Sequence, residues 1–568
     1  MDILEFLGGL ARLPNASRNI ADDNLRAIFG ICISYIDYSR EQRQTTVGAS
    51  SARASVTSPR YSGTSGELRT ASETSHTAEV HKDLPEYVFA LAYHVMTIWF
   101  LSIDIKERSK HVGWIAKRLT WKDDYGNDTM EEQSQVTLDM MHRTAYLDLG
   151  ETTSSARFSS EDGPVSKQTW LMGMSIVTLE TATASGLTQL TKRQASGTTH
   201  ATYQQCTAPL PPHHVPVQNL GQSTESILPS HVLLQLASTI APMPIPMQPI
   251  VLPDDDISKR AISTFDRNDT VDGYKVGVIY LGKGQTSEVE ILANTGGSMP
   301  YNNFLSGLGT KVCLKNATFN TQGLDRESDQ DGTHTYAWRD RVTEIVFHIP
   351  TMMPTDLRND PQCTNKKRHI GNEFVKIIYN DSGLSFNFDT FESDFNYINI
   401  IVTPEALESP KDDGTNDTNL REPGYGRSDG LKEDVRERQF FRVQTQCAAS
   451  LPHISPAATP KIISAAALPA FVRRIALNAS VFSLAWSKRN GDQYVSSWRN
   501  RLKEINKLRN RYGNTATSQT VAYPGMSTED RGGARSYVEG DEWRGTLALG
   551  GMAEEDKLVL SLDFTRWT

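Results

Sequence analysis

The sequence predicts an α+α/β protein, in which an α-helical amino-terminal segment is followed by an α/β domain and then by closing helices. Three observations carry this. Apolar residues recur at helical spacing through Ile3 to Arg12 and through Asp22 to Tyr38. Runs rich in β-branched residues (KVGVIYL, VEIL, EIVFHI, VKIIY and YINIIV) alternate with helical or loop stretches from Lys275 onward. Two more segments with helical apolar spacing, 468–487 and 494–511, lie beyond them. At 568 residues the chain exceeds what one hydrophobic core supports, so two or three folded units are expected.

Residues 1–150 read as mainly α. Within them Arg43 to Thr77 is rich in Ser, Thr, Ala and Arg with little to bury, which predicts a disordered insertion with RxxS-like phosphorylation sites. Leu84 to Ile105 is apolar enough to suggest a membrane span, yet it carries Glu86, His94 and Asp104, which are expensive in lipid. A buried helix of a helical stack is the better reading. Residues 151–228 combine a strand-like TWLMGMSIVTLET with a proline-rich stretch around His213 and His214. Without a further ligand at metal spacing, the paired histidines read as part of a stiff linker. The α/β domain spans 229–405, a charged flexible insertion 406–465, closing helices that pack on the α/β domain 466–513, and a mostly flexible tail 514–568.

The second closing helix places Trp498, Leu502, Ile505 and Leu508 on one stripe. Arg499, Arg501, Lys503, Lys507, Arg509 and Arg511 stay mainly off it. A helix packed on the α/β domain with a solvated basic face is one reading of Trp498 to Arg511; a calmodulin or acidic-lipid target is the other.

Composition narrows the classes. A net charge of -9 gives no general attraction to nucleic acid or anionic membrane. The 5 cysteines (Cys32, Cys206, Cys313, Cys363 and Cys447) are odd in number, scattered and without CxxC spacing, which argues against a disulfide framework or zinc site and fits a reducing compartment. No charged-then-apolar leader is expected at the start, so N-x-S/T triplets such as Asn316 to Thr318 are expected to stay unglycosylated.

The most informative stretch is KKRHIGNEF, Lys366 to Phe374, which sets a neutral amide, Asn372, behind a run of cations and a histidine. On a helix His369 and Asn372 would share a face with Lys366, and Gly371 permits close backbone approach. A run of cations is most simply a solvated surface. The chemical reading is a meeting with phosphate. A carboxamide accepts a hydrogen bond through its oxygen and donates through its NH₂, and it stays neutral at physiological pH. Positioning alone can then accelerate a reaction by many orders of magnitude.

This segment resembles the catalytic motif of the Rap/Ran-type GTPase-activating domains. The resemblance continues through YKVGVIYLGKGQ, NNFLSGLG, GLD, FHIPTMMPT, YNDSG and FNYINIIVTP, in that order. In that family an asparagine thumb enters the active site of a small GTPase. The resemblance therefore implies Asn372 as the catalytic residue, with Lys366, Lys367, Arg368 and His369 docking the GTPase or holding the thumb segment, and Arg474 supporting the domain from the closing helices. It implies an activator with no hydrolase activity or cofactor of its own, because GTP and magnesium come with the partner. The fold implied is a sheet flanked by helices, with a subdomain that mediates dimerisation in some relatives, so a homodimer is also open.

Within the family the likeness is to growth-regulating members whose substrate is a Rheb-like GTPase and which repress TOR signalling. LEFLGGLARLP, LPEYVFALAYHVMTIWF, TWLMGMSIVTL, HVLLQL, PIVLP, FVRRIALNAS and WRNRLKEINKLRNR extend it beyond the catalytic domain. Such members carry a long HEAT/armadillo-like amino-terminal portion, and this chain opens inside its last part. The family implies a cytoplasmic protein recruited peripherally to lysosomal or vacuolar membranes, without a transmembrane segment, and a hamartin-like subunit whose contacts fall largely in the missing portion. A Rap-directed activator and a non-catalytic GTPase-binding scaffold are the alternatives.

Other motifs are weaker. LGKGQT lacks the spacing of a phosphate loop and reads as a turn. DRESDQDG lacks the register of a calcium loop, and its Asp331-Gly332 reads as a hairpin turn. Asp381-Ser382-Gly383 lacks a nucleophile elbow and reads as a turn supporting the catalytic segment.

Overall fold

The computed structural model of the protein describes residues 2–53, 84–204, 228–237, 249–405, 439–488 and 495–518, apart from positions 14, 15, 124, 127, 146, 147, 149, 155–157, 453 and 454. Its helices are α1 (Asp2–Ala11), α2 (Asp22–Arg53), α3 (Leu84–Ser102), α4 (Ile105–Leu119), α5 (Glu132–Ala145), α6 (Pro229–Ala237), α7 (Asp256–Arg267), α8 (Glu288–Leu292), α9 (Met299–Leu308), α10 (Thr364–Ile370), α11 (Leu468–Ser487) and α12 (Ser497–Ser518). Its strands are β1 (Trp121–Lys122), β2 (Asp128–Thr129), β3 (Val165–Met172), β4 (Ser175–Ala182), β5 (Leu187–Gln194), β6 (Gly197–Gln204), β7 (Ile250–Leu252), β8 (Asp272–Leu281), β9 (Thr310–Cys313), β10 (His334–Arg339), β11 (Thr343–His348), β12 (Val375–Asn380), β13 (Ile398–Glu405), β14 (Phe440–Cys447) and β15 (Lys461–Ser464). They divide between two units, one of residues 1–16, 30–98 and 271–494 and one of 17–29, 99–270 and 495–568.

The first unit is built on an 8-stranded sheet of order β15-β14-β13-β12-β8-β11-β10-β9. Its centre, β13-β12-β8-β11, is parallel, and the flanking strands run antiparallel. Parallel strands covered on both faces need unbroken apolar runs, which is why β8, β11, β12 and β13 read as Val/Ile stretches. On one face Ile279, Ile378 and Ile401 pack with Ile370 of α10 and Ile291 and Leu292 of α8. On the other, Tyr379 meets Tyr280, Tyr301 and Phe304 of α9 and Phe441 of β14. Helix α11 covers β8, β12 and β13 and buries Val472, Ile475, Leu477, Val481 and Phe482. The same unit includes α1 and the start of α3. There Tyr87 donates to Glu5 at 2.9 Å and packs edge-on to Phe482, while Arg12 pairs with Asp340 at 3.2 Å.

The second unit is a 5-stranded antiparallel sheet, β6-β5-β4-β3-β7. Alternation along β3 sends Trp170 and Met172 toward Val232 and Leu233 of α6, and Leu171 toward Phe265 of α7 and Ile505 and Leu508 of α12. Helices α4 and α5 pack on each other in this unit. Arg501 of α12 is buried, with its guanidinium over the Phe265 ring at 4.0 Å. It donates to Gln194 O, Phe265 O, Asn268 O and Thr198 Oγ1. Burial pulls its pKa down to about 10. Arg501→Met should strand these buried carbonyls and destabilise the unit by about 3 kcal/mol. Urea unfolding measures it; an unchanged midpoint would mean that Arg501 is dispensable.

The mixed α and β class and the amino-terminal helical segment stand, but several elements differ from the sequence expectation. The helices of residues 2–145 divide between the two units. Part of the segment expected to be disordered, from Arg43, continues helix α2 to Arg53. The rest of it through Thr77 lies outside the described residues, as do Cys206, His213 and His214. TWLMGMSIVTLET is a hairpin rather than one strand, turning at Gly173, whose φ is 50°. Residues 165–204 of the expected mixed strand and linker segment thus form four strands of a sheet. VEIL is helix α8, begun by the Ser287 side chain accepting from Glu290 N.

Residues 229–267 belong to the second unit, and the 8-stranded sheet takes its first strand in chain order only at Asp272. The segment 406–465 contains β14 and β15, which complete that sheet; 406–438, 453 and 454 of it lie outside the described residues. Of the closing helices α11 packs on the eight-stranded sheet, whereas α12 packs on β3, β7, α5 and α7 and continues to Ser518. Its basic side is engaged in part. Besides Arg501, Arg499 pairs with Glu132 at 3.0 Å and Arg509 bonds Gly173 O, and the stripe Trp498, Leu502, Ile505 and Leu508 is buried. The apolar stripe that a calmodulin contact would use is therefore covered by the chain itself, while Lys507 and Arg511 stay exposed. Helix α3 is buried as expected, and no described helix is long and apolar enough to cross a membrane.

Candidate functional site

The segment carrying Asn372 is a single short helix, α10, that runs directly into β12. Asp360 starts it by accepting from Thr364 N at 2.7 Å and Asn365 N at 2.9 Å, and these amides hold its pKa below the usual range. Cys363, just before the helix, is buried with a φ of 50°, a left-handed conformation that costs a residue other than glycine of order 1–3 kcal/mol. Strain of this kind persists only where the surroundings over-determine it.

The surroundings do so through the side chains of KKRH. Lys366 is buried, and its Nζ donates to Leu292 O at 2.9 Å, Thr355 Oγ1 at 2.6 Å and Asn294 O at 3.3 Å. Burial brings its pKa down to about 8. Lys367 pairs with Glu288 at 2.5 Å. Arg368 pairs with Asp331 at 2.9 Å, and His369 Nε2 lies 2.8 Å from the same carboxylate oxygen. Burial lowers the His369 pKa, with Asp331 pulling the other way. Burial pushes Asp331 up, but the Asp325 N–H, His369 and Arg368 outweigh it and leave the carboxyl below its usual range.

Lys366 and His369 share the buried face of α10, but Asn372 does not extend it, since the helix ends at Ile370 with Gly371 as its cap. Asn372 is exposed. Its backbone N–H donates to His369 O at 3.0 Å, and its Nδ2 donates to Arg368 O at 2.7 Å. The neighbouring loop is tied on as well, because Ser393 Oγ donates to Gly371 O. The site is an exposed carboxamide on a braced backbone. Such a group can orient a water through its oxygen and donate to an oxyanion through its nitrogen. Arg474 stands elsewhere, on α11 against α1, where a Cβ on Gly9 would come 2.7 Å from its Nη1. It packs helices together and is not part of this arrangement.

Sequence reasoning missed Asp331, Glu288 and Asp360, whose acidic side chains partner or cap α10. Asp331 sits in an acidic run read as a turn, and the turn reading concealed its role; a lone acidic residue far upstream carries no signal of its partner. Among the described residues no group of His, Cys, Asp and Glu is arranged to hold a metal ion.

The His369 environment makes a pH prediction. The unfolded chain binds this proton near pH 6.5, more readily than the fold does, so the contribution of neutral His369 is complete above that pH and is lost as pH falls below it. The stability lost on His369→Gln should accordingly be larger at pH 7.5 than at 5.5 in urea unfolding; an equal loss at both would show that His369 does not titrate differently on folding.

Comparison with known proteins adds four findings. Residues 291–507 match the Rap/ran-GAP family. The chain is 36% identical over 524 residues to the tuberous sclerosis 2 protein homolog of Schizosaccharomyces pombe, covering 90% of this chain and 34% of that protein. It is 26% identical over 221 residues to Ral GTPase-activating protein subunit alpha-1 of Homo sapiens, covering 39% of this chain and 9% of that one. The chain thus spans about a third (34%) of the fission-yeast relative's length. A solved structure of the TSC2 GAP domain is 55% identical where matched and covers 38% of this chain and 99% of its own, with a TM-score of 0.32. That likeness is one of sequence; the fold rests on the strand order described above.

Proposed function

Because this chain carries a Rap/ran-GAP domain and resembles a tuberous sclerosis 2 homologue along most of its length, we propose that it is a GTPase-activating protein for a Rheb-like small GTPase. Asn372 is the group it inserts. GTP and Mg²⁺ enter with the GTPase, which needs a water held in line and compensation for charge on the transferring phosphoryl group. The observation that carries this reading is the contrast within one segment: Lys366 and His369 are buried, and Lys367 and Arg368, though partly exposed, are paired with Glu288 and Asp331, whereas Asn372 is exposed just past the end of the helix and faces no acidic partner among the described residues. Arg368 is held by Asp331, so the reading gives the amide and not an arginine the chemical task. The cations hold the thumb segment more than they dock the GTPase.

Through such a GTPase the protein would repress TOR growth signalling, with a hamartin-like subunit and peripheral recruitment to lysosomal or vacuolar membranes as further parts of the reading. The test is single-turnover hydrolysis of GTP by Rheb-, Rap- and Ral-type GTPases with and without the chain. Acceleration greatest for the Rheb type is expected. Preference for the Rap type would change the substrate, and binding without acceleration of any of them would make the protein a scaffold.

A further inference from the structure

Immediately after the exposed Asn372 the chain buries a carboxylate. Glu373 is 0% exposed and points into the row where the parallel strands pass beneath α10. Its Oε1 lies 2.8 Å from Nδ1 of His348, the last residue of β11, and 3.8 Å from Lys275 Nζ. His348 is itself buried and stacks edge-on to His369 at 5.3 Å. Glu373 and His348 approach each other off the hydrogen-bond direction, and Glu373 Oε2 and His348 Nε2 find no other hydrogen-bond partner among the described residues.

The strand register explains the space. Gly277 of β8 pairs with His348 on one side and Lys376 on the other, so the position between them has no side chain. A Cβ there would stand 3.2 Å from Ile370 Cδ1 and 3.7 Å from Glu373 Cγ. The glycine leaves the socket into which both the end of α10 and the carboxylate fit. Lys376, also buried, closes the turn by donating to Glu373 O at 3.0 Å and to Asn396 Oδ1 at 3.1 Å.

Burying a carboxylate costs several kcal/mol unless it is paired, so a sheet built only for stability would be better served by an apolar side chain here. Placed one residue from an exposed amide, the buried group does something an apolar one does less well: it holds the chain at a defined depth and rotation. We propose that Glu373, seated against His348 in the space left by Gly277, is a positioning residue that sets the reach of the Asn372 amide, acting on the rate of the bound complex and not on its formation. The inference rests on the reading of Asn372 as the inserted group.

The experiment uses the full chain and a Rheb-type GTPase loaded with GTP. Single-turnover rates are titrated to saturating activator, affinity is measured separately on the GTPase filled with a non-hydrolysable GTP analogue, and Asn372→Ala runs alongside. Glu373→Gln and His348→Gln should each lower the saturating rate by about 10- to 100-fold, the scale of a misplacement of about 1 Å. Affinity should stay within about two-fold, since docking and transition-state contacts are separable. The double variant should be no slower than the worse single one, because the pair acts as a unit. Full saturating rates in both single variants, with Asn372→Ala inactive, would overturn the positioning role while leaving the thumb. An active Asn372→Ala would overturn the thumb reading and this inference with it. A loss of affinity in step with rate would mean that the pair merely maintains the fold, and it too would overturn the proposal. Should Glu373→Gln not fold, His348→Gln, judged with its thermal unfolding, decides alone.

Discussion

Replacing Asn372 with alanine should reduce stimulated GTP hydrolysis by roughly 100-fold or more, the effect of removing one preorganised donor to a developing charge, while the affinity for the GTP-bound partner stays nearly unchanged. The side chain is exposed and among the described residues makes one hydrogen bond, to Arg368 O, so its loss costs the fold little. Asn372→Asp should fail as fully. A carboxylate lacks the NH₂ donor and brings negative charge toward phosphate. Single-turnover rates at saturating activator give the answer, with affinity measured in parallel. An alanine variant that keeps most of the rate would remove Asn372 from the chemistry, and one that binds poorly would recast it as a docking residue.

A fragment ending at Glu405 should fail to fold as a monomer. It would lose β14, whose register runs along the whole of β13, and would expose the edge of a strand built for burial on both sides. It would also lose α11, leaving the aromatic cluster of Tyr280, Tyr301, Phe304 and Tyr379 open on the face that this helix covers. In the full chain a smaller version of the same test is Phe482→Ala. Phe482 is buried in α11 and meets Tyr87 edge-on at 5.3 Å, so its truncation should cost about 3–5 kcal/mol. Size-exclusion chromatography and urea unfolding read the two outcomes. A monomeric fragment with a cooperative transition would show that the last strands and α11 are accessory.

Legibility followed the length scale of the interaction that specifies each feature. The parallel strands were readable because both faces of β8, β11, β12 and β13 are covered, and that requirement is written as unbroken runs of Val and Ile. Asn372 was readable because its neighbours in sequence are also its neighbours in space, along one turn of helix and its cap. VEIL misled for the opposite reason: four residues are too few to separate a strand from a helical turn, and the Ser287 cap decided the matter.

By itself the sequence determined the class of the fold, the segment that bears the candidate chemistry and the one amide in it, since these depend on local pattern and on residue type. Tertiary structure alone decided what the cations are for and where the units divide. Lys366 reads as a surface charge until the carbonyls of Leu292 and Asn294, more than seventy residues away, close around it, and Arg501 reads as part of a solvated basic face until the carbonyls of Gln194, Phe265 and Asn268 do the same. The physical reason is that a charge shows in the sequence but its desolvation does not: burial and pairing are set by the residues that folding brings from elsewhere, so a cation destined for solvent and one destined for the core are written with the same letter.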